Sequence, residues 1–193
     1  MKLAQELLNG NRQALSRLLS LAERNDPSLP ESMQEIYPHT GRAHTIGITG
    51  PPGSGKSTLV DRLTELIRKT GASVGILAVD PSSPLTGGAL LGDRVRMRQH
   101  YLDPKVFIRS MSNRGEQGGL PSVAGRALKL LDAYGKDVVF LETVGVGQSE
   151  LAVMEVVDTI VVVTVPEGGD TIQALKAGIL EVADILVVNK ADR

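Results

Sequence analysis

The chain has 193 residues, 41% of them hydrophobic and 22% charged, which suffices for one sizeable core and no more than one full domain with an appendage. A net charge of −1, with three Tyr and two Phe, argues against nucleic acid, which calls for a basic footprint or a row of stacking aromatics. Absence of cysteine, of an apolar run of about 18 residues and of a signal-peptide core in MKLAQELLNG predicts a cytoplasmic protein with no membrane span.

Leu15, Leu18, Leu19 and Ala22 recur at helical spacing, and the breaker-rich RNDPSLPES follows, so residues 1–42 read as an N-terminal helical appendage. Six short apolar runs then alternate with helical stretches: TIGIT, VGILAVD, VFIRS, DVVFLE, TIVVVTV and DILVVNK. They read as buried strands of a mostly parallel central sheet flanked by helices, an α/β fold of the phosphate-loop NTPase type over residues 43–193.

The first strand runs into GPPGSGKS, in which Gly50, Gly55, Lys56 and Ser57 fill the fixed positions of G-x-x-x-x-G-K-S. An amphipathic helix, STLVDRLTELIRKTG, leaves the loop, giving the strand, loop and helix order that phosphate binding requires. Glycines, Gly53 among them, let backbone N–H groups around Ser54 turn toward a phosphate chain, and the helix N-terminus adds partial positive charge. Lys56 would span the terminal phosphates, the Ser57 hydroxyl would reach Mg²⁺, and Thr58 would support the first turn beside the nucleotide.

At the far end, Asn189, Lys190 and Asp192 form N-K-x-D after an apolar strand. A carboxylate at Asp192 accepts from N1–H and the exocyclic amine of guanine, whereas adenine presents an acceptor at N1. Such a mismatch supports discrimination of about 10⁴, so GTP and GDP are the expected ligands. Lys190 would lay its stem along the base, and Asn189 would tie this loop to the phosphate loop.

A magnesium-bound triphosphate also needs one or two carboxylates near Ser57. Glu142 ends DVVFLE, Asp80 ends VGILAVD and Asp93 lies in TGGALLGDRVRMR, so these three join Ser57 as metal candidates. Lys56, Glu142 and Asp80 are the candidate catalytic residues, and Gly145 offers its N–H to the γ-phosphate. Glycine-rich stretches at 84–97, 142–150 and 167–176 are inexpensive to rearrange around that phosphate. They carry Arg94, Arg96, Gln148, Asp170, Gln173 and Lys176, with Arg98 just beyond the first.

VDPSSPLTGGALLGDRVRM, ETVGVGQSE and EGGDTIQALKAGILEVADILVVNKAD resemble the MeaB/ArgK-type GTPases of the SIMIBI class, chaperones of adenosylcobalamin-dependent methylmalonyl-CoA mutase. The resemblance implies GTP hydrolysis that gates cofactor delivery or exchange at the mutase, and a homodimer in the full-length form. It also implies that Asp80, Asp93 and Glu142 share the magnesium and switch network. Glu116 and Gln117 depart from that pattern where it shows a histidine and an apolar residue, and Thr171 stands in place of a second acid. The resemblance further implies a continuation past Arg193, with a last base-contacting loop, at least one strand and dimerisation helices. DILVVNK is then expected to be an exposed sheet edge and TIVVVTV to be poorly covered.

Two other readings share the nucleotide loop. A kinase linked to lysine, arginine or ornithine transport requires an acceptor site and a base for a second substrate. A nickel-type metallochaperone GTPase needs thiolate or imidazole ligands, and the chain offers no Cys and only His39, His44 and His100.

Overall fold

Apolar runs that alternate their side chains between two faces need cover on both, and in the computed structural model the chain supplies it with helices. The structure describes residues 2–80, 97–112, 119–143, 154–166 and 181–192; for residues 80, 98, 112, 119 and 120 it describes the backbone alone. In chain order the elements are α1 (Lys2–Leu8), α2 (Arg12–Glu23), α3 (Leu29–Ile36), β1 (His44–Thr49), α4 (Lys56–Lys69), β2 (Val74–Asp80) and β3 (Val106–Ser112). They continue with α5 (Gly119–Ala133), β4 (Val138–Thr143), β5 (Thr159–Thr164) and β6 (Ile185–Val188).

Among the described residues the six strands form one sheet in the order β3-β2-β4-β1-β5-β6, and every pairing is parallel. Val74 and Ile76 of β2 join Ile48 and Phe140 under α4, which contributes Val60, Leu59, Leu63 and Ile67. Leu77 and Val79 point to the other face with Val139 and Leu141, where α1, α2, α3 and α5 close a second core. The alternation places Glu142 on the Phe140 side of β4, facing α4.

The residues that carry the helical spacing, Leu15, Leu18, Leu19 and Ala22, are fully buried in α2. Asn11 caps that helix by accepting from Gln13 N at 2.8 Å and Ala14 N at 3.2 Å. Arg109 of β3 fastens it to the sheet edge, donating to Glu23 at 2.6 Å and to the Ser20 hydroxyl at 2.9 Å. The stretch RNDPSLPES differs from its reading as a breaker, because α3 starts inside it with Pro30 in the first turn. That position needs no N–H partner and suits the fixed proline φ. The entry to β1 is held by Asp132 of α5, which accepts backbone N–H groups from Gly41, Arg42 and Ala43.

β6 is an exposed edge, with Ile185, Leu186 and Val188 about half accessible. β5 is not poorly covered: Val161, Val162 and Val163 are buried, because β1 and β6 flank the strand and both cores reach it. No helix among the described residues is long and apolar enough to cross a membrane.

Candidate functional site

The turn from β1 into α4 depends on glycine at two places where a β-carbon has no room. At Gly50, φ is 143° and a side chain would strike the backbone of Val163 in β5. At Gly55, φ is 97° and a side chain would strike the Asn189 amide. Gly55 is also the residue before α4, and no side chain caps that helix. The first-turn amides and the helix dipole therefore face the loop, the arrangement that receives an anion.

Lys56 is buried, and its ammonium donates to the carbonyls of Gly50 at 2.8 Å and Pro51 at 3.0 Å. Ser54 is buried at the loop's crest, Gly53 is exposed with φ of 74°, and Thr58 is exposed on the first turn of α4. The Ser57 hydroxyl donates to Glu142 Oε1 at 2.6 Å. Register explains the meeting: Glu142 pairs with Ile48 of β1 on one side and Ala78 of β2 on the other, so it ends the central strand beside the loop. Glu142 is 5% exposed, and the adjoining Thr143 hydroxyl bonds Thr49 across the strands at 3.0 Å. This threonine pair, missed in the sequence because nothing local links residues 49 and 143, fixes β4 to β1 directly below the loop.

The N-K-x-D segment leaves β6 and turns over the same loop. Asn189 Nδ2 donates to Ser54 O at 2.8 Å, and Lys190 Nζ donates to Gly53 O at 2.7 Å. Lys190 adopts φ of 56°, with its N–H on Asn189 Oδ1 at 2.9 Å, and the Asn189 N–H meets Thr164 O at 2.8 Å. Asp192 is exposed two residues on. Two motifs more than 130 residues apart thus close on one another, with Asn189 as the bridge.

A serine hydroxyl and a carboxylate converging beside a lysine are hard oxygen donors suited to Mg²⁺, which takes one or two protein oxygens. No group of three or more His, Asp or Glu that could hold a metal occurs among the described residues. The backbone of Asp80 ends β2 in register with Ser112. Its side chain lies outside the described residues, as do Asp93, Arg94, Arg96, Gly145, Gln148, Asp170, Gln173 and Lys176. Beyond residue 96, Gln99 Nε2 donates to Asp61 Oδ2 of α4 at 2.8 Å, and His100 Nε2 lies 3.2 Å from Asp61 Oδ1.

Comparison with known proteins gives a consistent result. The family model described as methylmalonyl Co-A mutase-associated GTPase MeaB matches residues 15–193. A relative from Pyrococcus horikoshii is 55% identical over 192 residues, covering 100% of this chain and 61% of its own. The GTPase ArgK of Escherichia coli is 40% identical over 192 residues, covering 97% of this chain and 58% of its own. Among solved structures, a LAO/AO transport system kinase superposes with a TM-score of 0.73 at 31% identity, covering 100% of this chain and 56% of that one. The chain therefore spans less than two thirds of the length of these relatives.

Proposed function

The chain belongs to the MeaB family of methylmalonyl-CoA mutase-associated GTPases, and from that premise we propose that it binds GTP and hydrolyses it to GDP and phosphate with Mg²⁺. The observation that supports this most is the closure of N-K-x-D onto the phosphate loop through Asn189 and Ser54. In this reading the residues Gly50, Gly53, Ser54, Gly55, Lys56, Ser57 and Thr58 cradle the phosphates. Gly145 adds an N–H at the γ-phosphate, and Asn189, Lys190 and Asp192 select guanine.

Lys56 exchanges the neutral carbonyls of Gly50 and Pro51 for phosphate oxygens, which as charged acceptors form shorter and stronger hydrogen bonds. Ser57 and Glu142, in hydrogen-bond contact at 2.6 Å, would be the oxygen donors that hold Mg²⁺, with Asp80 and Asp93 as further carboxylates for it. Mg²⁺, when bound, neutralises charge on the β- and γ-phosphate oxygens. A water attacks the γ-phosphorus, the bond to the β–γ bridging oxygen breaks, GDP leaves with that electron pair, and the water's two protons end on the released phosphate, which then equilibrates with solvent. Burial of Glu142 and Lys56 keeps these charges in a low-dielectric wall, where positioning and electrostatics supply most of the rate.

In the full-length protein, we infer, this cycle gates adenosylcobalamin loading or protection of methylmalonyl-CoA mutase, and the protein works as a homodimer in the cytoplasm. The family description supports the mutase as partner. The transport-kinase reading is supported only by likeness to the LAO/AO transport system kinase. The test is phosphate release by the full-length protein from GTP and from ATP, with and without apo-mutase. Hydrolysis of GTP but not ATP, accelerated by apo-mutase, is the expected result. Equal turnover of ATP overturns the guanine assignment, and GTP turnover unchanged by the mutase overturns the gating role.

A further inference from the structure

Residues 1–24 carry four basic side chains, Lys2, Arg12, Arg17 and Arg24, against two acidic ones, Glu6 and Glu23, in a chain whose total charge is −1. Arg17, Ser20 and Leu21 of α2 and Arg24 at its C-cap fall at i, i+3, i+4 and i+7, one stripe along the helix. That stripe lines an open cavity of about 390 Å³, together with Leu3 of α1 and Arg109 of β3. β3 lies three strands from β1, about 14 Å across the sheet, so the cavity is separate from the phosphate loop.

The charges around it are unequally matched. Arg109 is paired with Glu23 at 2.6 Å, and its enclosed Nε has no hydrogen-bond partner among the described residues. Arg17 makes no ion pair among the described residues. Arg24 likewise makes no ion pair among the described residues: the adjacent Glu23 is taken by Arg109, and the carboxylate of Asp26 is held low first by the Ser28 hydroxyl and only lastly by Arg24. Two exposed guanidinium groups with little counter-charge therefore border a hollow walled by Leu3, Leu21 and arginine stems.

A hollow of this kind matches one ligand chemistry. Guanidinium forks take carboxylates in paired hydrogen bonds, and the leucines with the arginine methylenes accept an aliphatic stem. The volume falls at the small end of ligand sites, which run from about 300 to 1,000 Å³. A nucleic-acid backbone would instead need an extended basic stripe, which the charge of this chain does not provide. We propose that the cavity between α1, α2 and β3 is a binding site for a small aliphatic carboxylate.

Hexanoate is the probe, titrated into isotope-labelled protein with hexanol and hexylamine as neutral and cationic counterparts at matched ionic strength. Amide shifts at Leu3, Ser20 and Leu21 should saturate with a Kd of about 1–10 mM for hexanoate, as expected for a ligand of its size. The Arg17→Gln/Arg24→Gln variant should bind about tenfold more weakly or worse, the value of one or two charge-assisted hydrogen bonds. Its melting temperature and GTP turnover should match the parent, since both side chains are exposed and far from the phosphate loop. Shifts that fail to saturate, hexanol binding as tightly as hexanoate, or undiminished binding by the variant would each overturn the proposal.

Discussion

The Asn189 side-chain amide donates to the Ser54 carbonyl at 2.8 Å and occupies the space that a β-carbon on Gly55 would need. One contact thus binds the two nucleotide motifs together and forbids a side chain at the last glycine of the loop.

Gly55→Ala should therefore destabilise the chain by about 1–3 kcal/mol, through left-handed backbone strain added to the collision with Asn189. Adding Asn189→Ala removes the collision and leaves the strain. Urea midpoints for the two single variants and the double variant should show a loss smaller than the sum of the singles. Strict additivity would mean that the two motifs are not in contact.

Ser57→Ala and Glu142→Gln probe the converging oxygens. Each should lower GTP turnover by about 10²-fold or more, the scale for removing one preorganised electrostatic contact in a reaction run by metal and positioning. Ser57→Ala should lower stability by about 1.5–3 kcal/mol, the value of one hydrogen bond to a buried carboxylate. Wild-type turnover by both variants at saturating Mg²⁺ would remove them from the metal site.

Much of this was legible in the sequence because parallel strands buried on both faces must be continuously apolar, and all six runs from TIGIT to DILVVNK are strands of one sheet. The glycine-rich loop was legible for a different reason: the φ angles and close approaches at Gly50 and Gly55, the two fixed glycines of the motif, leave no room for a side chain. What stayed hidden depends on distant partners. α3 was masked by Pro30, which looks like a breaker until its place in the first turn is known. Asp132 gripping the amides of 41–43, and Thr143 bonding Thr49, have no local signature, because topology alone brings them together.

Asp192→Asn should exchange base preference. An amide at this position still accepts from the base N1–H but offers an N–H₂ where the carboxylate accepted the exocyclic amine, which suits the carbonyl that xanthine carries there. Competition binding should show XDP overtaking GDP in the variant. Retained GDP preference would place guanine recognition elsewhere.

Asp137 gives a pH signature independent of nucleotide. Its carboxylate accepts from the Ser73 N–H at 2.6 Å and the Ser73 hydroxyl at 2.7 Å, and these bonds hold its pKa below the ordinary value of 3.8. The unfolded chain then takes up the proton first as pH falls. Stability from this group is present above the unfolded value and is lost as pH drops through the folded one. Asp137→Asn should lower the urea midpoint at neutral pH, and its deficit should shrink steadily from about pH 5 downward. A deficit that stays constant over that range would show that the charge contributes nothing.

The central proposal is that Asp192, two residues beyond the Lys190 that bonds the phosphate loop, makes this a guanine-nucleotide site. Calorimetric titration of the chain with GDP and with ADP in the presence of Mg²⁺ tests it most directly. The account predicts GDP binding at least about 10²-fold tighter than ADP, because adenine cannot donate to the aspartate. Equal affinities would contradict it and leave a phosphate site indifferent to the base.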